Sequence, residues 1–201
     1  MQPLAEELRR RGMIVQVPRL HRGSLAADTE AVQLAMDGCE HPPIVVGHSY
    51  GGAVITGTRN ASAMVFVAAF VPDVGESCSG LGGPNAPVNA WVASHPSGGT
   101  YIPSAVAGEL FYGDCTRVAT ERAVSLLVPQ AAGHGRGQVD IAAWKHVTSR
   151  YILCRDDRAM SPEVQRRMAE RCASTFEIDA SHSPYVSRPS VIASLILDEG
   201  R

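Results

Sequence analysis

The sequence predicts an α/β fold: a mostly parallel sheet with helices on both faces. Three observations predict it. Apolar, β-branched runs at 44–46, 150–154 and 175–178 alternate with stretches of helical spacing. The run 63–71 is almost continuously apolar, as in a strand covered on both faces. The first of these strands ends in Gly47-His48-Ser49-Tyr50-Gly51-Gly52 and leads straight into Ala53-Val54-Ile55-Thr56, which gives a strand, a sharp turn and a helix.

The elements follow in order. Pro3–Arg11 reads as an amphipathic helix with Leu4 and Leu8 on one face, stopped by Gly12. Met13–Val17 is a strand candidate. Ser24 can cap a helix running to about Asp37, closed by Gly38. Ile44–Val46 is the strand before the turn, and Tyr50 to about Gly57 the helix after it. Residues 72 to about 138 are rich in proline and glycine, with helical islands at 104–111 and 117–127 and no two-residue alternation. This stretch is read as a lid, inserted at about 72–146 within a single domain spanning 1–201. Regular structure resumes with the strand 150–154 and a helix from Pro162 to about Cys172. The strand 175–178 and a closing helix 187–197 complete the chain.

Composition narrows the function. The chain has 201 residues, 45% hydrophobic and 19% charged, with a net charge of −2. That suits one compact domain and points to neither nucleic acid nor a membrane as partner. Lys145 is the single lysine among 18 basic residues. The five cysteines are odd in number, scattered and without Cys-x-x-Cys spacing, so reduced thiols in a cytoplasmic protein are expected. No segment approaches 18 continuous apolar residues, and no signal-peptide h-region opens the chain. The sequence carries no signal for oligomeric state.

A serine at the apex of a strained strand–helix turn is placed to act as a nucleophile. Gly47 and Gly51 are expected to leave room where the two backbones approach. A serine hydroxyl needs a base in hydrogen-bond reach, and the base needs an orienting carboxylate. Both belong in loops at the carboxyl ends of later strands. Strand 150–154 runs into Arg155-Asp156-Asp157-Arg158, and strand 175–178 into Asp179-Ala180-Ser181-His182. The order is therefore Ser49, an acid and His182, with Asp157 preferred and Asp156 the alternative. Asp179 is expected to solvate a strand end. His48 is expected to point away from Ser49 and pack. His21, His41, His95, His134 and His146 are read as surface residues. Trp91, Leu110, Phe111, Tyr112 and Trp144 either line an acyl pocket or pin the lid to the core.

Four segments carry a family likeness: Gly47-His48-Ser49-Tyr50-Gly51-Gly52; Phe70-Val71-Pro72-Asp73-Val74-Gly75-Glu76-Ser77; Tyr151-Ile152-Leu153-Cys154-Arg155-Asp156-Asp157-Arg158 with Gln165-Arg166; and Ser181-His182-Ser183-Pro184-Tyr185-Val186-Ser187-Arg188-Pro189. The chain resembles α/β-hydrolases, within them a bacterial group akin to the plant methyl-salicylate esterases and hydroxynitrile lyases. The resemblance implies a three-layer sandwich. It implies Ser49 as nucleophile, Asp157 as acid, His182 as base and the Tyr50 amide as an oxyanion-hole donor. It implies cleavage of a small, partly apolar carboxylic ester with no metal or organic cofactor. Two other classes stand beside it. Cyanohydrin lyases of that group use a lysine next to the catalytic histidine, where this chain has Ser183. A scaffold that binds without turnover is the other.

The front of the chain departs from the resemblance. Members of that group begin with a strand ending in His-Gly, whose following loop gives the second oxyanion donor, and nothing here matches it. Its loss is expected to bare the edges of the 13–17 and 44–46 strands and to leave one donor. Met1 as an internal methionine or a fragment is preferred over a genuine short form with weakened or no hydrolysis.

Overall fold

A computed structural model describes residues 1–20, 23–96 and 98–197. The main sheet has four parallel strands: β1 (Ile44–His48), β2 (Ala63–Val67), β5 (Thr148–Cys154) and β6 (Ser174–Ile178), paired in the order β1-β2-β5-β6. A short antiparallel pair, β3 (Ala93–Ser94) and β4 (Thr100–Tyr101), lies in the excursion between β2 and β5.

Helices cover both faces because the central strands are apolar on both. Met64 and Phe66 of β2 and Tyr151 and Leu153 of β5 face one side, where they pack with Met36 of α2 (Leu25–Asp37), Ile55 of α3 (Gly51–Thr56) and Met168 of α7 (Pro162–Ala169). Val65, Val67 and Ile152 face the other, against Leu4 and Leu8 of α1 (Gln2–Arg10) and Ile192 and Ile196 of α9 (Pro189–Leu197). The two-residue period of a strand sends neighbours to opposite layers. The result is the three-layer sandwich that the resemblance implies.

The excursion holds α4 (Cys78–Gly82), a 3₁₀ turn at Pro87–Trp91, α5 (Ser104–Tyr112), α6 (Arg117–Ser125) and a second 3₁₀ turn at Ala143–Lys145. The remaining helix, α8 (Pro184–Ser187), precedes α9.

Several expectations are corrected. Met13–Val17 is not a strand. Ile14 is 97% exposed, and no described strand lies beside the segment, so it has no ladder to join. Among the described residues nothing pairs with the outer edge of β1 either. The apolar run from 63 stops being a strand at Val67, because Ala68 turns to φ 42°. The next residues stay buried since the Tyr151 hydroxyl takes the Ala69 amide at 2.9 Å and donates to the Ala69 carbonyl at 2.8 Å. The closing helix stands as expected, as α9 from Pro189, and a separate four-residue helix, α8, ends before it at Arg188, the residue that precedes the proline. All five cysteine thiols are free.

Glu76 ties the excursion to the segment just after α7 by pairing with Arg171, which also donates to the Val71 carbonyl at 2.7 Å. The Arg171 guanidinium holds the Glu76 carboxyl below its ordinary 4.5. A depressed folded-state pKa gives stability that is present above the unfolded value and lost as pH falls through the folded one. Urea unfolding of wild type and Glu76→Gln should therefore differ near pH 7 and converge as the pH falls below the ordinary 4.5. A gap that stays constant with pH contradicts this pairing.

Candidate active site

β1 delivers its last residue to a turn that reverses the chain at Ser49. Ser49 has φ 53°, in the left-handed region. Such a conformation costs an L-residue about 1–2 kcal/mol, and three backbone bonds hold it. Ser49 donates to Val67 at 3.3 Å, while its carbonyl accepts from Phe70 at 3.1 Å and Gly52 at 3.0 Å. A Cβ on Gly47 would lie 2.6 Å from the Gly51 carbonyl oxygen, and one on Gly52 would lie 2.1 Å from that of Phe70. Gly51 has open space instead. The sterically required pair is thus Gly47 and Gly52, a correction to the expected Gly47 and Gly51. The loop after β2 crosses the helix at Gly52, whereas Gly51 faces the groove.

Asp157 and His182 meet at the carboxyl ends of β5 and β6. His182 Nδ1 lies 2.7 Å from Asp157 Oδ2, and both residues are buried. A carboxylate only accepts, so this contact puts the proton on Nδ1 and leaves Nε2 as an acceptor. Asp157 is fully engaged. Its Oδ1 accepts from the Ala159 and Met160 amides at 2.8 and 2.9 Å, and its Oδ2 also accepts from Gln165 Nε2 at 2.9 Å. Asp156 is exposed, and Asp179 is paired with Arg155 at 3.1 Å. Ser49 and His182 line one groove of about 2190 Å³, which runs from the turn along the bare edge of β1 to residues 13–17. That exceeds the few hundred to roughly 1,000 Å³ of a small-molecule site, so the groove as a whole is larger than one such site.

Three supporting residues escaped the sequence reading. Gln165, fully buried, bonds both backbone groups of Cys154 as well as the Met160 carbonyl and Asp157. Its inclusion in the Gln165-Arg166 likeness was the available signal. Asp114, after α5, accepts from the Ser181 hydroxyl and from Ser187 Oγ at 2.7 Å, and so fixes the loop that carries His182. Burial pushes the Asp114 carboxyl up, but these hydroxyls outweigh it and hold it below the ordinary value. Nothing local in the sequence marks it. His48 is the third. It was expected only to pack, yet its Nε2 is 2.7 Å from the His182 carbonyl and its ring is 4.6 Å from that of His182. A carbonyl only accepts, so His48 carries its proton on Nε2. Burial, then the neighbouring His182, push the His48 imidazole well below its ordinary 6.5.

The other candidates separate. Phe111 and Tyr112 line the groove, with Phe111 5.7 Å from the His182 ring. Leu110 is buried, and Trp144 packs on the core and donates to the Pro72 carbonyl at 2.9 Å. Trp91 is half exposed. His41 and His146 are exposed as expected, but His134 rests on the Tyr50 ring at 4.1 Å and His95 on Tyr101 at 5.5 Å. His21 lies outside the described residues. Among the described residues no cluster of His, Cys, Asp or Glu could hold a metal ion, and no helix is long and apolar enough to cross a membrane.

This elbow on a three-layer sandwich defines a family. The family described as "Alpha/beta hydrolase family" matches residues 2–195, and the chain belongs to it. Alpha/beta hydrolase nvfD of Aspergillus novofumigatus (strain IBT 16806) is 26% identical over 169 residues, which are 76% of this chain and 68% of that protein. A pyrethroid hydrolase from Sphingobium faniae JZ-2 superposes with a TM-score of 0.84 at 21% identity, covering 98% of this chain and 90% of that one. The methylesterase MES16 from Arabidopsis superposes with a TM-score of 0.76 at 17% identity, covering 98% and 91%. At these identities the superpositions establish the fold.

Two predictions follow from the geometry. Gly52→Ala should destabilise the protein by about 2–4 kcal/mol. Gly51→Ala should stay within roughly 0.5 kcal/mol of wild type. Urea midpoints of the two variants check the contrast. The depressed folded pKa of His48 means that the unfolded chain takes up the proton first, so stability falls as pH drops below 6.5. His48→Gln removes that titration, and its urea midpoint should fall less between about pH 7.5 and 5.5. An equal fall in both proteins contradicts a neutral, half-buried His48.

Proposed function

We propose that the chain is a serine hydrolase that cleaves a small, partly apolar carboxylic ester through Ser49, His182 and Asp157. The observation that carries this reading is the Asp157–His182 contact at 2.7 Å beside the groove that Ser49 also lines. His182 Nε2 takes the Ser49 proton as Oγ attacks the ester carbonyl. Asp157 holds the tautomer and stabilises the imidazolium. The Tyr50 amide donates to the developing oxyanion. His182 then protonates the departing alcohol, and a water activated by the same imidazole releases the acid from Ser49.

The excursion at 72–146 acts as a lid, with Phe111 and Tyr112 facing the substrate. The names of the superposing pyrethroid hydrolase and methylesterase support an ester as substrate. Five free thiols support a cytoplasmic setting. The lyase alternative gains nothing from Lys145, whose ammonium is paired with Asp73 at 2.6 Å.

The test is p-nitrophenyl acetate and butyrate hydrolysis. Ser49→Ala should remove turnover, by roughly 10⁵-fold or more. Asp157→Asn should lower kcat by about 10⁴-fold. Equal rates in wild type and Ser49→Ala would overturn the mechanism and favour a scaffold that binds without turnover.

A further inference from the structure

We propose that Asp28 is a positioning residue for this site, acting through the side chain of Tyr50. Asp28 lies in the first turn of α2 and is fully buried. The Tyr50 hydroxyl donates to its Oδ2 at 2.9 Å. The amino end of a helix favours a carboxylate at that position.

Tyr50 is held a second time by the lid. The His134 ring lies 4.1 Å from the Tyr50 ring, presented by a turn in which Gly133 and Gly135 take φ 79° and 80°. A tyrosine side chain has two main torsions. Fixing its ring and its hydroxyl fixes Cβ and, through the few preferred χ1 and χ2 wells, restrains Cα and the peptide between Ser49 and Tyr50. That peptide carries the amide assigned above to the oxyanion. The Tyr50 carbonyl is the acceptor for the Ala53 and Val54 amides at 3.0 and 3.3 Å, so the same restraint reaches the first turn of α3.

Packing alone does not call for this pair. A phenylalanine and an apolar residue could fill the same volume, and such replacements of buried polar pairs are often neutral or stabilising. What the pair adds is direction. A hydrogen bond to a carboxylate anchored on α2 sets where the phenol points. The same turn of α2 is docked on α3 independently by Thr29 Oγ1, which donates to the Val54 carbonyl at 3.2 Å.

This inference rests on the Tyr50 amide receiving the oxyanion, so its test has one arm that needs no turnover. In the first arm, Tyr50→Phe, Asp28→Ala and the double variant are assayed on p-nitrophenyl butyrate, with active sites counted by a fluorophosphonate. Each single variant should lose roughly tenfold in kcat per titrated site, with KM within about twofold. The double variant should be no worse than the poorer single one, because both act through one contact. Additive losses, or a lowered Tm with kcat per site unchanged, overturn the proposal. In the second arm, hydrogen exchange of the Ala53 and Val54 amides should quicken about tenfold in both single variants, while β5 amides keep wild-type rates. If the wild-type chain cleaves no ester, the reaction above fails on its own and the exchange arm decides. Unchanged Ala53 and Val54 exchange overturns the positioning role.

Discussion

The site depends on one close approach: the Phe70 carbonyl crosses the first turn of α3 at Gly52, where a Cβ would sit 2.1 Å away. That contact brings the loop after β2 against the Ser49 turn. Phe70 in return donates to the Ser49 carbonyl at 3.1 Å, which helps hold Ser49 at its positive φ. Behind the loop, Tyr151 grips both backbone groups of Ala69. The strained serine is therefore braced by the central strands of the sheet. Backbone strain of this kind persists only where the surroundings over-determine it.

The Asp157–His182 pair is set by a different device, hydrogen-bond saturation. Asp157 receives two amides, the Gln165 amide group and the His182 imidazole. A buried carboxylate with this many donors has one orientation available, so the imidazole it holds has one as well. Asp114 and His48 add restraints on the backbone that carries His182, from the excursion and from β1. An active site arranged before substrate arrives avoids reorganising its dipoles during the reaction.

Much of this was legible in the sequence because the signals were local. The Gly47–Gly52 string, the acid after β5 and the histidine after β6 each sit at a strand end that hydrophobic runs reveal. Apolar continuity in 63–67 and 150–154 reported burial on both faces. The misses were non-local. Which glycine is indispensable depends on Phe70, a residue from another element. The strand expected at Met13–Val17 failed because a strand exists only with a neighbour, and apolar residues cannot announce whether one is present. Asp114 serves His182 across the fold, and its own surroundings in sequence (Gly113, Cys115) look like any turn. The run from 63 ended at Ala68 because a tertiary hydrogen bond, not propensity, decides the path there.

The wiring of the sheet has a consequence for how the chain reaches this state. β2 lies in the interior of the sheet, yet the residue that pairs with Ala63 on the β5 side is Thr148, on the far side of the whole excursion. The strands that lead to Asp157 and to His182 both come after that excursion. During synthesis the serine turn and its helix emerge long before β5 can pair with β2. Closing so long a loop is entropically slow, and parallel pairing of distant segments is correspondingly late. Assembly of Ser49, Asp157 and His182 thus waits on the last third of the chain, so nascent protein cut off before β5 carries the serine without its partners.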